Sequence, residues 1–151
     1  MVPQGSVGDP RYDRKVTNTR PLSIAVVRSD IQYVQEIAAG THRLRADEPK
    51  ERGGSDAGPA PYDLLLAGLG ACTSITLRMY AERKKWDLGR IEIELRLFKT
   101  KDEEHIERDV RLGAELPEEW RARLAEICEK TPVTLTVKRG TPITTRVHSG
   151  Q

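Results

Sequence analysis

Cysteine is scarce in this chain of 151 residues: there are two, Cys72 and Cys128. Two cysteines cannot build the disulfide framework of a small secreted domain, and in a reducing compartment each is expected to be a free thiol. A strong charge of either sign is also missing. The formal net charge is +2, and acidic and basic residues interleave, as in ERDVRLGAELPEEWRARLAE. That balance argues against partners chosen by bulk electrostatics, so neither nucleic acid nor an anionic membrane is expected. The three histidines, His42, His105 and His148, are scattered with no ligand spacing, so no metal site is expected. No P-loop or nucleophile elbow occurs. Gly68-Leu69-Gly70 is half a dinucleotide fingerprint, but Thr73 stands where the third glycine belongs and no strand precedes it. No cofactor is therefore expected. The first residues, MVPQGSVGDPRYDRK, are polar without an apolar core, so they do not read as a signal peptide, and the expected location is the cytoplasm.

What the chain does have is one long uncharged run in a sequence that is 32% charged. Residues 61–85, PYDLLLAGLGACTSITLRMYAERKK, carry no charge from Leu64 to Leu77. The run is too long for a strand, has apolar residues on nearly every side, and falls short of the roughly 20 residues that span a bilayer. It reads as a helix enclosed by protein, with Pro61 in its first turn, Asp63 near the positive end of its dipole and lysines at its end. Cys72 sits in its middle.

Around it the remaining elements fall into place. Residues 1–20 read as a flexible arm and 21–151 as one domain. Residues 22–28 and 31–38 read as strands with a turn at Ser29-Asp30, and 42–47 as a third strand. The Gly- and Pro-rich residues 48–61 form a long loop of the kind that borders sites. Residues 91–99 alternate cleanly, 101–104 turn, and 106–112 return as a more polar strand. A second helix begins near Leu116-Pro117 and presents Trp120, Leu124, Ile127 and Cys128 on one face, until Pro132 stops it. Residues 134–139 and 143–147 are β-branched and read as closing strands. Strands grouped in hairpins point to an α+β fold with a mainly antiparallel sheet. One sheet and one amphipathic helix cannot cover the central helix on all sides, which implies a homodimer with the central helices paired inside it.

The stretch GPAPYDLLLAGLGACTSITLRMYAERKKW resembles the OsmC/Ohr family of osmotically inducible and organic-hydroperoxide-resistance proteins. The matching features are Gly58-Pro59, Pro61, the acid Asp63, the aliphatic Leu64-Leu65-Leu66 and the small residues Gly70-Ala71 before Cys72 and Thr73. The resemblance extends over roughly residues 22–147 and implies a dimer of interlocked α+β subunits with sites at the interface. It implies that Cys72 is a peroxidatic thiol reducing organic hydroperoxides, with an arginine and an acid stabilising its thiolate. Arg28, Arg43 and Arg45 are the candidate arginines. Asp63 is the candidate acid, although Tyr62 occupies the place directly after Pro61 where the family carries it. The family's resolving cysteine, in a Cys-Pro pair, falls on Thr131 here. Cys128, three residues earlier, is the candidate substitute; otherwise an external thiol or dithiol must close the cycle. The resemblance also implies that residues 132–135 continue as a short helical turn, against the strand reading.

Each candidate has a plainer reading. Cysteine is among the most buried residue types, so Cys72 and Cys128 also fit as small core residues. Asp63 fits as a helix-start acid, the arginines as the solvated side of a strand, and Thr73 and Ser74 as hydroxyls bonding back into the helix. Two functions follow: a thiol-dependent peroxidase acting through Cys72, or a non-catalytic dimer that binds a small apolar molecule or serves as a stress-linked structural protein. Neither cofactor nor metal enters the first.

Overall fold

A computed structural model describes residues 20–150 of the chain. The arm expected over 1–20 lies almost wholly outside the described residues. Three strands come first: β1 (Ala25–Ile31), β2 (Val34–Ala39) and β3 (His42–Ala46). They form an antiparallel meander in which Val27 faces Ile37 and Ile37 faces Leu44. The first turn falls at Gln32-Tyr33 rather than at Ser29-Asp30, because Gln32 takes the left-handed conformation (φ 44°) that closes a two-residue loop, with an irregularity between Arg28 and Ile31.

The long uncharged run forms α1 (Pro61–Lys84), ended by Lys85 in the left-handed region. A second antiparallel hairpin follows, β4 (Ile91–Lys99) with β5 (Glu104–Leu112). It is a separate two-stranded sheet, so the single sheet expected from the pattern is two sheets here. Its outer face is a ladder of charges in which Arg96 binds Glu94 (2.5 Å), Glu107 (3.3 Å) and Asp109, and Arg111 binds Glu94 (3.0 Å). Its inner face, with Ile91, Ile93, Leu95 and Leu97, lies against α1. Gly70 lets the two approach: a Cβ there would stand 2.9 Å from a Leu95 methyl.

Two helices close the fold, α2 (Glu118–Cys128) and α3 (Pro132–Arg139). The α3 segment corrects the strand reading of residues 134–139 and extends the helical turn that the resemblance implied. Pro132 at the first helical position and the extended Thr131 before it start a helix, and packing against α1 overrides the β preference of Thr134, Thr136 and Val137. The strand expected at residues 143–147 is also absent. The segment follows Gly140, pairs with no strand among the described residues, and leaves Ile143 and Val147 exposed.

The core lies between α1, α2 and the β4–β5 hairpin, with Leu77 and Leu88 fully buried beside Ala81, Leu124 and Cys128. By length and composition α1 could cross a membrane, but it is the element on which β4, α2 and α3 pack. Among the described residues one stripe of α1 is enclosed: Leu69, Thr73, Leu77 and Ala81, four residues apart, are buried, while Leu65 at the stripe's N-terminal end and Ile75 and Met79 on the far side are exposed. The β1–β3 meander makes no extensive contact with α1, so that side stays open among the described residues.

Candidate functional site

Cys72 is a free thiol, half-buried, at the border between the covered and uncovered stripes of α1. Leu65, Gly68, Ile75 and Met79 flank it on the open side at steps of three and four residues. Its carbonyl accepts the Thr76 hydroxyl at 2.7 Å. Cys128 is also free but has a different environment. It is 5% exposed and belongs to the same cluster as Leu77 and Ala81, and burial pushes its thiol above the ordinary range. At neutral pH it is held protonated, a poor nucleophile. The Leu77–Ala81 stripe lies roughly 140–180° around α1 from Cys72 at 100° per residue, so the two thiols are not brought together.

The arginines nominated from sequence stand apart from Cys72 in the chain. In the meander's register Ala25, Val27, Ile37, Ala39 and Leu44 share one face, and Arg28, Arg43 and Arg45 share the other with Glu36. Arg45 pairs with Glu36 at 2.8 Å, and Arg43 donates to the carbonyl of His42 at 3.1 Å. The apolar face is uncovered, with Val27 and Leu44 exposed. Asp63 accepts the Ala60 N–H at 3.0 Å, which is the helix-start role of an acid in the first turn. Tyr62 accepts a hydrogen bond from Lys99 at 3.1 Å.

The loop before α1 is held by Asp47, fully buried. Its carboxylate accepts from the Ser55 hydroxyl (2.6 Å) and the N–H groups of Glu48 (2.8 Å), Ser55 (2.9 Å) and Ala57 (3.0 Å). These bonds, the Ser55 hydroxyl foremost, hold its pKa down to about 2.

The residue that sequence reading missed is Arg108. The side chain is 11% exposed and bonds to three helices or their ends. One amino group donates to Thr73 Oγ1 (3.1 Å) and Thr134 Oγ1 (3.0 Å). The other donates to the Cys128 carbonyl (2.9 Å) at the end of α2 and to Glu129 Oε1 (3.0 Å). Thr134 also shares a hydrogen bond with Thr131 (2.7 Å), which is fully buried where the resemblance places a cysteine. Glu129 in turn binds Lys138, whose contact, followed by that of Arg108, keeps its carboxylate ionised. The signal was present in the pattern: Arg108 stands in phase with Ile106, Val110 and Leu112, the inward side of an alternating strand.

Two cavities meet at Arg108. One of about 750 Å³ lies between β5 and α2, over Val110, Leu116, Leu124 and Cys128. The other, about 470 Å³, lies between α1, β5 and α3, over Leu69, Leu97, Ile106 and Val137. Cys72 lines neither. Among the described residues, no cluster of His, Cys, Asp and Glu could hold a metal ion.

A family model described as OsmC-like protein matches residues 53–146, which include α1, Cys72, Arg108 and Thr131. The chain belongs to the OsmC family. No functionally curated protein matches it. Solved structures share the OsmC fold at low identity. A candidate osmotic stress induced and detoxification response protein of Psychrobacter arcticus 273-4 is 14% identical, with a TM-score of 0.69 over 79% of this chain and 90% of that one. The organic hydroperoxide resistance protein OsmC of Legionella pneumophila is 22% identical, with a TM-score of 0.57 over 79% and 92%. The organic hydroperoxide resistance protein OhrB of Bacillus subtilis is 20% identical, with a TM-score of 0.52 over 77% and 90%. The α+β reading and the family resemblance both hold, and the match spans the OsmC helix that carries Cys72.

Proposed function

We propose that this OsmC-family protein is a cytoplasmic thiol peroxidase for organic hydroperoxides, working as a homodimer through Cys72. The observation that carries the reading is the contrast between its two thiols. Cys72 stands half-open on an apolar stripe that a single chain leaves bare, whereas Cys128 is sealed in the core and held protonated. An apolar hydroperoxide suits such a surface. The Cys72 thiolate attacks the outer peroxide oxygen, the O–O bond breaks, and the alkoxide leaves as an alcohol after taking up a proton, which leaves a sulfenic acid. With Thr131 in place of a resolving cysteine, an external thiol condenses with the sulfenic acid, releasing water. A second thiol then frees Cys72 and carries off the disulfide.

A second copy of the chain supplies what the site lacks. Two uncovered apolar faces, the Leu65–Met79 side of α1 and the Val27–Leu44 face of the meander, would be closed by pairing, as burial of exposed apolar patches favours. The test is consumption of cumene hydroperoxide with a dithiol reductant. Loss of turnover in Cys72→Ser, with Cys128→Ala retaining it, supports the reading; equal rates in wild type and Cys72→Ser end it.

The alternative is a non-catalytic dimer that binds a small apolar molecule. It draws on the mainly apolar cavity between α1, β5 and α3, which does not include Cys72. Saturable binding of an apolar fluorophore, unaffected by Cys72→Ser and without any hydroperoxide turnover, would favour it.

A further inference from the structure

We propose that the cleft between β5 and α2 binds a short apolar peptide with free ends, its carboxylate held at Arg108 and its ammonium at Glu115. Cys72 does not line this cleft, so the site is distinct from the one proposed for the hydroperoxide. Its volume is about 750 Å³, within the range of small-ligand sites. The floor is apolar, made by Val110 on β5, Leu116 in the loop that follows, and Leu124 and Cys128 on α2. Leu124 is 3% exposed and Cys128 5%, so the floor is part of the packed core and is formed before any ligand arrives.

The charged side chains divide between the two ends. Near the start of α2 the cleft is lined by Glu115 and Arg121, and Arg121 is bound to Glu118, so two acids stand against one cation. Near the end of α2 it is lined by Arg108 and Glu129, and Glu129 is bound to both Arg108 and Lys138, so two cations stand against one acid. A zwitterion lying along the cleft matches both excesses, whereas a hydrocarbon matches neither and a simple carboxylate only one. Arg121 and Cys128 are seven residues apart on α2, about 10 Å along its axis. Three extended residues span about that length, which a single amino acid does not. Arg108 also has a donor to offer. A guanidinium carries five N–H groups. The four on its amino groups go to Thr73, Thr134, the Cys128 carbonyl and Glu129, and its Nε–H donates to none of the described residues. A carboxylate there accepts a charge-assisted bond from a side chain that is 11% exposed. A second copy of the chain is a poorer occupant, because Ile75 and Met79 on the open side of α1 bring no charge to either end.

Titration of the full chain with trileucine, followed by calorimetry, tests the site. One saturable site per chain is expected, weakened about tenfold when the amino end is acetylated or the carboxyl end amidated. Ala125 lines the cleft from an exposed position, so Ala125→Trp fills it with an indole and is expected to abolish binding. Glu115→Lys, also at an exposed position, is expected to weaken trileucine about threefold and to leave its acetylated form unchanged. Absence of saturable binding at millimolar trileucine, or equal binding of the peptide capped at both ends, overturns the proposal. So does unchanged binding in a folded Ala125→Trp protein. If that variant does not fold, unchanged binding in Glu115→Lys does so. Sedimentation tests the competing occupant: an Ala125→Trp protein that is monomeric where the parent chain is dimeric makes the cleft a contact between copies and also overturns the proposal. No hydroperoxide is present in the titrations, so their failure leaves the peroxidase reading as it stands.

Discussion

Side-chain environment separates residues of the same type. Cys72 and Cys128 are both free, yet Cys128 is a buried core residue while Cys72 is only half-buried. Asp47 and Asp63 both lie beside the start of α1, but Asp47 alone is buried under four donors. Its depressed pKa has a defined consequence for pH. The folded value is about 2 and the unfolded one near 3.8, so the stability it contributes is complete above roughly pH 4 and fades as pH falls toward 2. Asp47→Asn is expected to lower the melting temperature at pH 7 and to flatten its decline between pH 4 and 2. Thermal melts across that range check both. Leu77, 0% exposed on the covered stripe, is expected to cost about 3 kcal/mol as Leu77→Ala, measured by urea unfolding.

At the scale of elements, α1 and the β4–β5 hairpin depend on close approach at Gly70. Gly70→Leu is expected to push β4 off the helix and cost about 1–3 kcal/mol, whereas Gly68→Ala, where a Cβ meets nothing in the chain, is expected to be neutral or stabilising in a single subunit. Comparative denaturation of the two variants decides this. The elements most legible in the sequence were those whose own residues dictate their form. β4 alternates without interruption, and α1 has Pro61 at its start and no charge through its middle. Residues 134–139 were misread because Thr and Val favour strands locally, and only contact with α1 and the Pro132 start make them helical. Residues 143–147 have the pattern of a strand but no partner strand among the described residues. Arg108 lies on a strand whose composition reads as polar, and only its inward phase, shared with Ile106 and Val110, distinguishes it.

At the scale of the molecule, the described residues of one copy leave apolar surface bare on two elements. Leu65, Ile75 and Met79 on α1 and Val27 and Leu44 on the meander are exposed together, and the sequence had already implied that one chain could not enclose its central helix. Ile75 is 60% exposed, so Ile75→Glu should leave the fold of a single chain intact. In a dimer paired through α1 it buries a charge, and sedimentation is expected to move from dimer to monomer. An unchanged dimer would place the contact elsewhere. The central claim concerns Cys72, and its most direct measurement is the fate of the oxygen. The protein is mixed with one equivalent of cumene hydroperoxide without reductant, sulfenic acids are trapped with dimedone, and the modified residues are mapped by mass spectrometry. The account predicts the adduct on Cys72, absent from Cys72→Ser, with Cys128 unmodified; an adduct on Cys128, or hydroperoxide left intact by the folded protein, would contradict it.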